Sequence, residues 1–139
     1  MIEIAALFHG FSVVLSPFNL LLMTIGIVLG VIIGVLPGLG GANGVAILLP
    51  LTFAMPPTSA IIMLSCIYWG ALFGGAITSV LFNIPGEPWS VATTFDGYPM
   101  AQKGRAGEAL TASFTSSFIG LVMLLWPLAS RVAAKLRGK

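Results

Sequence analysis

The sequence predicts an all-α integral membrane protein whose transmembrane helices are interrupted, and three observations predict it. The first is composition. Of 139 residues, 58% are hydrophobic and 7% are charged, and mean hydropathy is +1.06. A soluble domain carries about 25% charged residues; six Lys/Arg and four Asp/Glu cannot cover a surface in water, so lipid is the solvent for most of this chain. The second is a charge-free run: between Glu3 and Glu87 only His9 can carry a charge. The third is a pair of Pro-Gly interruptions, Pro37-Gly38 and Pro85-Gly86, each following a long apolar stretch.

Taken in order, residues 1–18 predict a short apolar helix lying in the membrane interface, with Ile2, Ala5, Ala6 and His9 at helical spacing. Glu3 stands where a secretory signal would carry a basic region. Ser16-Pro17 closes this helix and starts the next. Residues 20–36 have the minimum length of a span, and Gly26, Gly30 and Gly34 form a small-residue stripe that lets another helix backbone approach.

Residues 37–44, PGLGGANG, predict a helix stop. The apolar run that follows, 45–54, is too short to cross by itself. Irregular backbone at membrane depth persists only where it is buried in protein or lines a wet cavity. The free N–H groups of the following helix then favour an anion, with Asn43 as an added donor. An ordinary interfacial turn is the alternative. Pro56-Pro57 makes a rigid turn, with Thr58 or Ser59 as the cap of a span over 60–82. That span has a second small-residue face at Gly70, Gly74 and Gly75. The single Cys66 offers neither an internal disulfide nor a metal motif.

Residues 83–96, NIPGEPWSVATTFD, are the polar centre. The break at 83–88 echoes the one at 37–44, and paired interruptions of this kind point to sites built from broken helices. Residues 89–96 predict the arm of a re-entrant helical hairpin that ends at Gly97-Tyr98-Pro99; a polar loop outside the membrane is the alternative. Glu87 and Asp96 are costly in lipid and must face water, a partner or an ion. Ser90, Thr93 and Asp96 supply oxygens of the kind a cation accepts. A last span occupies 109–128, with Pro127 near its end, and 131–139 form a basic tail, which the positive-inside rule places in the cytoplasm. Lys103 and Arg105 pull the opposite way, which leaves the orientation open.

Three strings carry a family likeness: GVLPGLGGANGVAILLPLTF (34–53), IYWGALFGGAITSVLFNIPGEPWSVATTFDGYPMAQKGRAGEAL (67–110) and SFTSSFIG (113–120). On these the chain resembles the large membrane subunit of the tripartite tricarboxylate transporters, the TctA-type permeases, over its N-terminal portion. The resemblance implies one half of an inverted-repeat transporter, with residues 19–130 as the permease segment. It implies a multi-pass protein of the bacterial inner membrane that takes up citrate-like tricarboxylates or related carboxylates. Its partners would be a small membrane subunit and a periplasmic solute-binding protein, with a Na⁺ or H⁺ gradient as the drive. Pro37, Gly38, Gly40, Asn43, Asn83, Pro85, Gly86 and Ser90 would then belong to the substrate region, and Ser90, Thr93 and Asp96 to the cation region. Neither a catalytic residue nor a metal site, cofactor or nucleic-acid partner is expected. After Gly120 the sequence runs quickly to WPLASRVAAKLRGK, where the family resembled is expected to continue through many more spans, so the alternative expectation is a truncated, transport-inactive membrane fragment that only packs against partner subunits.

Overall fold

The computed structural model describes residues 2–137; Met1, at the start of the expected N-terminal helix, and Gly138 and Lys139, in the expected basic tail, lie outside it. Among the described residues there are helices and turns but no strand. The helices are α1 (Ile2–Val14), α2 (Pro17–Val35), α3 (Gly40–Leu48), α4 (Pro57–Phe82), α5 (Val91–Gln102) and α6 (Ala106–Arg137); 3-10 turns occupy Leu49–Ala54 and Pro88–Ser90. Three stretches, α2, α4 and Ala106–Pro127 of α6, are long and apolar enough to cross a bilayer. Large apolar side chains point outward along the chain, with Phe53 at 79% and Trp126 at 76% exposure. Water would penalise such a surface, and hydrocarbon accepts it.

The core of the fold is the α2–α4 pair. Gly26, Gly30 and Gly34 of α2 meet Met63, Ile67 and Ala71 of α4 in that order, so the two helices run parallel. Gly70 and Gly74 return the contact against the carbonyls of Ile27 and Val31. In lipid, apolar side chains gain nothing by leaving their solvent, so helices associate through close van der Waals packing, and glycines allow the backbones to touch. At the start of the pair, Ser16 caps α2 by accepting the Asn19 N–H at 3.4 Å, with Pro17 in the first turn. Asn19 is buried; its amide donates to the Val13 carbonyl, and its Oδ1 accepts the Ser59 hydroxyl, both at 2.7 Å. Ser59 is therefore not a cap. α4 starts at Pro57 with no side-chain cap, because proline has no N–H to satisfy there and the Ser59 hydroxyl bonds α2 instead.

A parallel pair requires a connection that returns the full length of α2, and residues 40–54 supply it. Residues 45–54 alone are too short for this, as expected, and more of the chain takes part. The return begins already at Gly40, and its second part is a 3-10 turn around Pro50. Nine α-helical residues rise ~14 Å and six 3-10 residues ~12 Å, against ~28 Å for the 19 residues of α2. The glycines at 40, 41 and 44 were expected to stop the helix; only residues 36–39 are non-helical. Gly41 and Gly44 are helical because Tyr68 and Ile33 fill the space a Cβ would take, 2.9 Å away in each case.

α5 folds back onto α4, seating Gly97 on Val80 and burying Thr94. It runs through Gly97-Tyr98-Pro99, where an end was expected. Pro99 forfeits one helical bond, and the seat on Val80 holds the helix across that gap. The end comes at Gly104, whose φ of 76° closes the turn: its N–H reaches the Ala101 carbonyl at 2.9 Å, and the Arg105 N–H reaches Met100 at 3.0 Å. α6 likewise continues past Pro127 to Arg137. At its start, Arg105 makes a bidentate pair with Glu108, 3.0 Å from Nε and 2.5 Å from Nη2. The hydrogen bond to Glu108, followed by its charge, raises the Arg105 guanidinium above its ordinary value.

Candidate functional site

The parallel arrangement has one consequence that decides where the polar chemistry lies. α2 and α4 end on the same side, so the interruption after each helix falls beside the other. α4 ends on Asn83, in the left-handed region at φ 58°, and its N–H closes on the Thr78 carbonyl. Asparagine tolerates this conformation better than other residues with a Cβ. The chain then turns inward through Pro85 and Gly86. A Cβ on Gly86 would stand 3.1 Å from Gly75 Cα and 3.2 Å from the Gly34 carbonyl oxygen. A side chain would crowd this notch, where α2, α4 and the second break converge.

Glu87 completes the junction. Its Oε1 accepts the backbone N–H of Gly41 in the first turn of α3, 46 residues away in sequence. The four leading N–H groups of a helix have no partner within it, and the positive end of the helix dipole favours a carboxylate there. Within the chain, Glu87 thus meets the amide end of the neighbouring interrupted helix. Its backbone is held too: its N–H donates to Ser90 Oγ at 3.2 Å, and its carbonyl accepts the Ser90 hydroxyl at 2.7 Å. The sequence signal for this residue was its isolation as the first charge after an 83-residue stretch without Asp, Glu, Lys or Arg; its partner could not be read.

The remaining residues divide between those drawn into the junction and those left at its rim. Gly40, at φ 51°, lies against the Glu87 carboxyl, which a Cβ would approach to 3.0 Å. Pro37, Gly38 and Asn43 are exposed beside it, with the Asn43 amide 3.4 Å from the Gly38 carbonyl. Asn83 and Pro85 are exposed on the facing break. Ser90, Thr93 and Asp96 follow one another at three-residue steps but pass from buried to half-buried to exposed, and the Ser90 hydroxyl is already engaged by Glu87. Thr78, Ser79 and Thr94 turn their hydroxyls onto carbonyls of their own helices at 3.1, 2.7 and 2.6 Å. Among the described residues no cluster of His, Cys, Asp or Glu could hold a metal ion.

Two grooves open on the surface. One of about 470 Å³ lies beside the first turn of α3, between Ala42, Val45, Leu64 and Tyr68. The other, about 460 Å³, lies between α4 and α6 among Trp69, Phe73, Phe114, Phe118 and Leu121, with Ser113 and Ser117 as its polar lining and no charged side chain.

Spanning helices in an apolar sheath, with two helix interruptions locked against each other at one end, define an all-α membrane protein of the broken-helix type. The sequence matches the Tripartite tricarboxylate transporter TctA family over residues 20–137, and the chain belongs to that family of transporter components. It is 50% identical over 117 residues to a protein of Agrobacterium vitis described as an uncharacterized 52.8 kDa protein in the TAR-I ttuC' 3' region. The match covers 84% of this chain and 23% of that relative, so the chain spans about a quarter of the relative's length. No solved structure matches the chain.

Proposed function

We propose that the chain is a permease segment for uptake of citrate-like tricarboxylates or related carboxylates. The observation that carries this reading is the meeting of the two Pro-Gly breaks at one end of the α2–α4 pair, in a member of a transporter family. The solute's carboxylates would lie between the two breaks, near Pro37, Gly38, Gly40 and Asn43 on one side and Asn83, Pro85, Gly86 and Ser90 on the other. Backbone amides and the Asn43 and Asn83 side-chain amides supply donors without a fixed positive charge, so the solute is held weakly enough to leave. A coupling Na⁺ or H⁺ would be taken by Asp96 with Thr93 and Ser90. In this reading the segment works in the bacterial inner membrane as part of a multi-pass permease, with a small membrane subunit and a periplasmic solute-binding protein.

The test is uptake of radiolabelled citrate or a related carboxylate by the permease carrying this segment. Asn83→Ala and Asp96→Ala should each reduce uptake at least about tenfold, the effect of losing one charge-assisted contact, at unchanged membrane abundance. Wild-type uptake in both variants overturns the site assignment. The alternative, a transport-inactive fragment that only packs against partners, draws on the bare surface of α6. Carboxylate uptake by this chain alone in liposomes would exclude it.

A further inference from the structure

We infer that Glu87 is a positioning residue that clamps the two interruptions into one unit. The inference rests on the reading that the breaks form the transport site, but the clamp has its own physical readout. Four observations converge on it. The carboxylate accepts the Gly41 N–H across a separation of 46 residues, joining the end of one interrupted helix to the restart of the other. The Glu87 backbone is fixed through Ser90 on both its N–H and its carbonyl, so the side chain projects from a rigid base. The preceding residue, Gly86, is wedged against Gly34 and Gly75, which ties that base to both α2 and α4. On the receiving side, Gly40 leaves space for the carboxyl group where any Cβ would crowd it.

Among the described residues no Lys or Arg forms an ion pair with this carboxylate. The sequence has no Lys or Arg before Lys103, and Arg105 is engaged with Glu108. The Glu87 charge is therefore met by a backbone amide and a helix dipole, in a charge-assisted bond about twice as strong as a neutral one. Without that bond, α3 and the second break are held together only indirectly, through the packing of α3 on α4, as at Gly41 against Tyr68, and not by any tie between the two breaks themselves. The exposed groups of the two breaks, Asn43 and Asn83 among them, then lose their fixed relation. Glu87 does not itself have to touch the solute.

Hydrogen–deuterium exchange on the chain in lipid nanodiscs tests the clamp, comparing wild type with Glu87→Leu and Glu87→Gln. Leucine keeps the bulk and loses the acceptor; glutamine keeps an acceptor oxygen and loses the charge. The Leu variant should speed exchange of the Gly41 amide and its neighbours about tenfold or more. The Gln variant should recover most of the protection, with exchange over residues 61–77 of α4 unchanged in both. Unchanged exchange at Gly41 in the Leu variant overturns the contact. Faster exchange throughout α4 overturns the clamp in favour of a general structural role.

In the permease carrying this segment, Glu87→Leu should raise the half-saturating carboxylate concentration several-fold, with the Gln variant near wild type. The exchange pattern without a transport effect overturns the positioning role and leaves the proposed transport function intact. Wild-type uptake in the Asn83 and Asp96 variants, beside the expected exchange pattern, removes the site assignment and leaves the clamp as a structural fact.

Discussion

α2, α4 and α6 are all apolar and long enough to span a bilayer, yet they are held by different means. In the spanning windows of α2 and α4, 28% and 33% of residues are buried, against 6% in α6. The first pair touches backbone to backbone through alternating glycines. α6 leans on α4 mainly through its first turns and the Phe73–Phe114 ring contact at 5.2 Å, and then runs on with Phe118, Met123, Leu124 and Trp126 facing outward. Hydropathy reports transfer from water to lipid and is blind to association within lipid. There, shape at the backbone decides, and small residues provide it.

The contrast is open to direct attack, and the largest effect is expected at its tightest point. Gly34→Leu would drive a side chain into the Ala71 carbonyl and should destabilise the fold by about 3 kcal/mol or more, read as loss of a cooperative thermal transition in detergent. A control one helix position apart sharpens it. Gly74→Ala places a Cβ 2.9 Å from Gly34 Cα and should lower Tm clearly, whereas the nearest atoms to a Cβ at Gly75 are 3.9 and 4.0 Å away and Gly75→Ala should be tolerated. Equal tolerance at both positions would refute the parallel packing.

A middle-sized effect is expected from Ser59→Ala, which leaves the buried Asn19 Oδ1 without its donor. The cost should be about 1–2 kcal/mol by the same unfolding measurement, and no change would mean that this bond does not join the helix starts. The smallest effect is on α6: a Cβ at Gly120 meets nothing within 4 Å, so Gly120→Ala should shift stability by less than about 1 kcal/mol. A large loss there would show that another helix covers this face in the membrane.

Much of the local structure was legible residue by residue. The Ser16-Pro17 start of α2, both glycine stripes and the Pro-Gly breaks are local features, written in capping groups, spacing and missing N–H donors. The errors have a common form. Gly40–Gly44 and Pro99 were expected to end helices because their intrinsic preferences oppose helix; at Gly41 and Gly44 a neighbour packs on the bare backbone, and in α5 Gly97 rests on Val80. Propensity is a small term per residue, and tertiary contact overrides it.

By itself, then, the sequence determined the solvent, the helices and the small-residue faces, because transfer energy and backbone stereochemistry act within a few residues. It also confined ionisable carboxylates beyond Glu3 to Glu87 and the residues after it. The tertiary structure alone decided that α2 and α4 run parallel, that residues 40–54 return between their ends, and that Glu87 closes on Gly41. A carboxylate and an amide 46 residues apart carry no mark of each other in the chain; they meet because two helices pack in one direction rather than the other.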